Sequence, residues 1–241
     1  MKKILMVAVI ATAMFATLNA NGQEIEMVFV KGGTFMMGSN DGDSDEKPVH
    51  SVTLSDFYIG KYEVTQAQWK AVMGNNPSYF KGDNLPVEQV SWDDVQEFIK
   101  RLNAMTGKNY RLPTEAEWEF AARGGNSSNG YTYSGSNSIG SVAWYDGNSG
   151  SETHTVGTKQ ANELGIYDMT GNVWEWCSDW YDSYSGDSQT NPQGANSGSY
   201  RVGRGGGWGD GASSCRVAGR YYTSPVNRYY YRGFRLACSS K

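Results

Sequence analysis

Helical patterning in this chain stops near residue 123. Of its 30 glycines, 21 lie beyond that point, and each glycine inside a helix costs about 1 kcal/mol relative to alanine. Gly124 to Gly150 and Ser183 to Ser199 are dense in Gly, Ser and Asn, the residues of turns and loops. That excludes a helical bundle or a coiled coil, which draw on Ala, Leu, Glu and Lys. What remains is a loop-rich fold, and long loops persist in a compact domain only when they are packed or functional.

The first half carries regular elements. Met27 to Val30, Val52 to Leu54 and Phe57 to Ile59 read as short strands bounded by turns. Three helix starts follow. Thr65 with Gln68 forms a capping box, and Gly74 stops that helix. Ser91 opens the clearest helix, in which Val95, Phe98, Ile99 and Leu102 recur at one-face spacing before Gly107. Thr114 with Glu117 is a third capping box. No charge run or composition break divides the chain, so a single domain over residues 21–241 is expected.

The N-terminus reads as a leader. Lys2 and Lys3 precede an apolar run from Ile4 to Thr17, and Leu18-Asn19-Ala20 is a small-residue cleavage site. The run is too short to span a bilayer comfortably. An exported protein without a membrane span is therefore expected, in the periplasm, at the cell surface or secreted. Removing residues 1–20 takes the net charge from −4 to −6, which argues against a nucleic-acid partner. Cys177, Cys215 and Cys238 are odd in number, so at least one thiol stays unpaired, and their pairing is open. There is no CxxC spacing, and His50 and His154 are isolated, so neither a zinc nor a His-based site is indicated.

Five ordered motifs carry a family resemblance. They are Met27-Val28-Phe29-Val30-Lys31-Gly32-Gly33-Thr34-Phe35-Met36-Met37-Gly38, Tyr62-Glu63-Val64-Thr65, Arg111-Leu112-Pro113-Thr114-Glu115-Ala116-Glu117-Trp118-Glu119, Gly171-Asn172-Val173-Trp174-Glu175-Trp176 and Gly233-Phe234-Arg235. Together they resemble the sulfatase-modifying-factor family, whose founding member is the formylglycine-generating enzyme. The resemblance implies an α+β, C-type-lectin-like fold with little regular secondary structure. It also implies two cysteines that bind copper(I) in the catalytic members. Here Cys215 fits the second of those positions, Asp210 stands at the first, and Gly211 replaces an adjacent His. A lone thiolate beside a carboxylate is a poor site for a soft ion, so no copper and no formylglycine formation are expected.

The C-terminal stretch has its own pattern. Residues 201–238 hold seven of the ten Arg and contain no Lys, Glu, Gln, Met or His. A skeleton includes Arg201, Arg204, Trp208, Cys215, Arg216, Val217, Arg220, Arg228, Phe234, Arg235 and Leu236. Between these lie Gly203, Gly207, Gly209, Asp210, Gly211, Ser213, Ser214, Gly219, Tyr221, Tyr222, Thr223, Ser224, Val226, Asn227, Tyr229, Tyr230, Tyr231 and Arg232. Every one of these can be encoded by a codon of the form NNC, the set obtained by randomising the adenines of AAC. The pattern resembles the variable region of diversity-generating retroelement target proteins, which share this scaffold. Tyr, Ser, Gly and Asn are also the residues of adaptable binding loops. Consecutive tyrosines cannot all point inward on a strand.

These readings make the intervening positions candidate ligand contacts for an unidentified protein or cell-surface ligand. They are expected on one exposed face, with Trp208, Cys215, Val217, Phe234 and Leu236 beneath it and the skeleton arginines in structural pairs. The family resemblance further implies structural calcium, held by the side chains of Asp168 and Glu175 and the carbonyls of Gly171 and Val173. Glu175 paired with an arginine, with Asp168 capping the turn, is the competing assignment. Two other functions stay open: a catalytic oxidase of the family, and an envelope accessory protein without a diversified face.

Overall fold

The computed structural model describes residues 25–240 and the backbone of Met14–Ala16. The leader predicted over residues 1–20 otherwise lies outside the described residues. Three small sheets and four helices are joined by long loops. Met14–Ala16 (β1), Ile25–Val30 (β2), Phe57–Gly60 (β5) and Ala237–Ser239 (β11) form one sheet in the order β1-β2-β5-β11, with the two ends of the described chain at its opposite edges. Thr34–Met37 (β3), His50–Thr53 (β4) and Gln189–Thr190 (β7) form the second. Trp174–Trp180 (β6), Arg201–Arg204 (β8), Arg220–Thr223 (β9) and Arg232–Gly233 (β10) form the third, in the order β10-β6-β8-β9.

Each expected helix begins at its predicted cap. Thr65, Ser91 and Thr114 accept from the backbone N–H of Gln68, Asp94 and Glu117, at the starts of Gln66–Met73 (α1), Trp92–Thr106 (α2) and Glu115–Ala122 (α3). In each case the side chain of the third helical residue reaches back to the cap backbone, which satisfies orphan donors at both positions. Gly74 and Gly107 close α1 and α2 in the left-handed conformation that glycine adopts without a Cβ penalty. Among the described residues beyond 123, the helices are the 3-10 turn Gly125–Ser127 and the four-residue α-helix Ile139–Val142 (α4).

Two apolar clusters fill the interior. In the first, α1 and α2 pack on the first sheet, with Trp69 stacked on Phe98 at 5.1 Å and both rings meeting Phe234 edge-on. In the second, Trp118 and Phe120 of α3 pack with Phe57 and Val202. Helix α3 is buried on every side, including Glu115, Glu117 and Glu119. Buried carboxylates require partners, and the chain supplies arginines. Arg111 grips Glu117 with two bonds of 2.6 and 2.7 Å. Arg204 pairs with Glu119, and Arg220 holds Glu115 at 2.6 and 2.9 Å. These ties anchor the third sheet to the helix.

Candidate functional site

The C-terminal arginines build a fixed base for the loops they carry. Arg235 meets Glu175 with bonds of 2.7 and 2.6 Å and donates to the carbonyls of Gly60 and Tyr167. Arg216 pairs with Glu46, and Arg228 meets Asp94 at 2.7 and 2.8 Å. Arg201 donates to the Ser178 carbonyl and lies between the rings of Trp92 and Trp180. Planar guanidinium groups suit such two-point pairing.

On this base stands an aromatic face. Strand β9 is an edge, and its two tyrosines project to opposite sides without a covering layer. Tyr221 is 41% exposed and packs on Trp174 at 5.1 Å; Tyr222 is 45% exposed and stacks on Tyr181 at 4.2 Å. Tyr229 and Tyr231 stack at 4.9 Å, and Tyr230 packs on Trp208 at 5.5 Å. Trp174, Trp208, Gly209, Asp210, Tyr221, Tyr230 and Tyr231 enclose an open cleft of about 460 Å³. Asp210 accepts from the Trp174 indole N–H at 2.7 Å and from the Gly207 N–H at 3.0 Å. Burial raises its carboxyl above the usual range.

Thirteen of the eighteen intervening positions keep some exposure. Gly203, Gly207, Gly219, Thr223 and Arg232 do not, which corrects the expectation for those five. Gly219 is the most constrained, since a Cβ there would lie 2.9 Å from the Ser214 carbonyl. Cys215, Val217, Phe234 and Leu236 lie beneath the face as expected. Trp208 does not: its ring is part of the cleft wall, and its backbone N–H is fixed by the Asn172 carbonyl at 2.7 Å.

The face is wider than the C-terminal stretch. Tyr79, 68% exposed, lies 5.9 Å from Tyr230, and Phe80 meets Trp208 edge-on at 5.6 Å. Tyr222 lies on the other side of β9 from the cleft, with Tyr181 at 4.2 Å and Tyr200 at 5.2 Å, which corrects the expectation of a single face for the intervening positions. Tyr79, Phe80, Trp174 and Tyr181 are distant from residues 201–238 in the chain and Tyr200 lies just outside that stretch, so none of them is assigned from the sequence. An exposed Tyr-Phe pair beside a predicted helix end was the one available signal.

Glu88 holds the Tyr79–Phe80 loop. Its Oε1 accepts the Phe80 N–H at 2.8 Å, while Oε2 is buried without a partner. Burial raises its pKa to about 7. A carboxyl whose folded value exceeds its unfolded one binds its proton more tightly when folded. It adds stability at low pH, and that contribution is lost as pH rises from 4.5 through about 7. Melting temperature should therefore fall over this window, and Glu88→Gln should flatten the fall. A melting profile with the same slope in both proteins would refute this.

The side chains of the calcium expectation are tied to protein partners, Glu175 to Arg235 as in the competing assignment, and among the described residues no group of three or more His, Cys, Asp or Glu is placed to hold a metal ion. Asp168 and Asn172 adopt φ of 57° and 61°, which are strained for non-glycine residues. Asp168 accepts the Gly157 N–H at 2.6 Å. Glu175 is shared between Arg235 and the Trp118 indole N–H, which is 2.7 Å away. Glu63 completes the cluster, accepting from Asn172 Nδ2 at 2.6 Å and from the Val173 N–H at 3.1 Å. Three buried carboxyls thus surround one cation, Arg235. Burial, followed by mutual repulsion, pushes Glu63 well up, and burial pushes Asp168 to about 6. The three cysteines are all free. Burial, aided by Asp210 and Asp146, pushes the Cys215 thiol up to about 12, far from an activated nucleophile.

Comparison with known proteins places this geometry in context. Residues 13–240 match the Sulfatase-modifying factor enzyme 1-like domain. The chain is 39% identical to "Chaperone protein LppX" of Paenibacillus barcinonensis, over 80% of this chain and 82% of that one. It is 30% identical to the formylglycine-generating enzyme of Thermomonospora curvata, over 88% of this chain and 92% of that one. Among solved structures, Treponema denticola variable protein 1 superposes with a TM-score of 0.89 at 36% identity, covering 95% of this chain and 99% of that one. Among the described residues, no helix is long and apolar enough to cross a membrane.

Proposed function

The chain belongs to the sulfatase-modifying-factor family, and we propose that within it this protein is a non-catalytic ligand binder with a diversified C-terminal face. The observation that carries the reading is the aromatic cleft walled by Tyr221, Tyr230 and Tyr231 at positions drawn from the NNC set. Likeness to the Treponema denticola variable protein supports it. Rigid aromatic rings give large contact area at low entropic cost, and the neighbouring Gly, Ser and Asn adapt. The basic, apolar N-terminus supports export, so that the face would meet a protein or cell-surface ligand rather than nucleic acid.

The oxidase alternative is disfavoured at one position. Asp210 is spent on Trp174 and Gly207, and no second sulfur faces Cys215 from that site. Incubation with a cysteine-containing sulfatase peptide and copper should leave the thiol intact by mass spectrometry; an aldehyde product would overturn the assignment. The diversified face is tested by randomising the thirteen exposed positions with NNC codons and selecting against an immobilised, unrelated protein. Folded binders are expected. A library in which most members fail to fold would return the chain to the accessory-protein reading.

We also propose structural calcium at the Asp168 loop. The excess of buried carboxylate over Arg235 favours a hard cation, and oxygen donors suit calcium. Asp168 and Glu175 would supply carboxylate oxygens, and Gly171 and Val173 carbonyls; the ion would brace the loop. Calcium should raise the melting temperature and a chelator lower it, and Asp168→Ala should remove the response. A melting curve that ignores both additions would refute the site.

A further inference from the structure

Six of the seven C-terminal arginines have a carboxylate or carbonyl partner; Arg232 has none for its guanidinium. It is fully buried, and its Nε and both terminal nitrogens lack hydrogen-bond partners among the described residues. Its surroundings explain how it fits. Gly203 on β8 pairs with Trp176 on one side and Tyr221 on the other. The missing side chain at Gly203 leaves a slot on the sheet face. The guanidinium lies across it, 4.5 Å from the Trp176 ring and 5.0 Å from the Tyr221 ring, with Tyr229 at 5.8 Å. Ring faces attract a cation, yet they leave all five N–H donors unmet. The nearest carboxylate influence, Asp210, is committed elsewhere.

Resting on the binding reading above, we propose that this slot is an anion subsite of the aromatic face, in which Arg232 receives a carboxylate of a polypeptide ligand. Of the covering tyrosines, Tyr221 is a wall of the cleft and Tyr229 is not, so a ligand group seated in the cleft reaches Arg232 when Tyr221 turns aside. A carboxylate matches the guanidinium fork with two parallel bonds and supplies the missing counter-charge. The cleft walls are rings, which suit an apolar side chain adjoining the carboxylate, and the cleft's one carboxyl is already occupied by Trp174 and Gly207. Gly203 is itself one of the NNC positions, and a Cβ there would stand 3.5 Å from the guanidinium in ordinary contact. A GAC codon at that position would therefore place an aspartate against Arg232 from within the chain.

The test uses the whole protein and three small probes, with Trp fluorescence and ligand-observed NMR as readouts: N-acetyltyrosine, its neutral amide and glucuronate. N-acetyltyrosine should bind at least tenfold more tightly than its amide. In Arg232→Met that preference should vanish while the melting temperature rises, because an unpaired buried charge has been removed. Gly203→Asp should likewise raise the melting temperature and abolish the preference. Equal binding of acid and amide by the unaltered protein, or an unchanged preference in Arg232→Met, would overturn the subsite. A lower melting temperature in both variants would make Arg232 a structural prop and also overturn it. Glucuronate binding as tightly as N-acetyltyrosine would overturn the polypeptide assignment. Since the probes bind without any native ligand, this result stands apart from the library selection that tests the diversified face.

Discussion

Replacing Arg235 by Met is expected to destabilise the protein by about 3–5 kcal/mol, the usual cost of removing one member of a buried pair. Arg235 is the single cation among Glu63, Asp168 and Glu175, and it also satisfies the carbonyls of Gly60 and Tyr167. Its loss breaks the Glu175 pair, leaves Glu63 and Asp168 without their neighbouring positive charge, and frees two carbonyls together. For a chain of this size each kcal/mol shifts the melting temperature by roughly 2–4 °C. Thermal unfolding followed by circular dichroism reads the effect. The stranded carboxyls would take up protons more readily, so the variant should recover part of its stability as pH falls. A melting temperature within a degree or two of the parent would show that the Glu175 pair does not hold the loop.

Changing Tyr221, Tyr222 and Tyr230 together to Ser should act in the opposite way, sparing the fold and removing function. Each is more than two-fifths exposed, and exposed substitutions usually stay within about 0.5 kcal/mol. The ring contacts with Trp174, Tyr181 and Trp208 add about 0.5–1.5 kcal/mol apiece to the cost. Unfolding should remain cooperative. Binding to whatever ligand the parent captures should fall by about a hundredfold or more, since aromatic anchors at the centre of an interface are each worth about 2 kcal/mol or more. Titration by surface plasmon resonance separates the outcomes. Unchanged affinity would move the ligand site elsewhere, and loss of the folded state would show these rings to be core. Tyr229 and Tyr231 are left in place because they are stacked and half-buried.

Local signals in the chain decided a good deal. The caps at Thr65, Ser91 and Thr114 marked three helix starts because a capping box is a contact between residues three apart. Val95, Phe98, Ile99 and Leu102 marked the buried face of α2 for the same local reason. The NNC-compatible positions and Asp210 in place of a sulfur ligand were visible in one dimension, because codon usage and ligand chemistry belong to individual positions.

Burial and pairing across the chain belonged to the tertiary structure alone. The sequence separates Arg235, a motif residue, from Arg232, an intervening position, but gives neither a partner: Arg232 ends unpaired in a glycine slot and Arg235 on Glu175, 60 residues away. Trp208 reads as core in the C-terminal skeleton, but the folded loop places it at the cleft wall. The widening of the face by Tyr79 and Phe80 depends on contacts between remote segments. Side-chain period and capping act over three or four residues, and so they are written in the chain; the partner of a buried charge depends on which strands lie side by side, and only the folded sheet settles that.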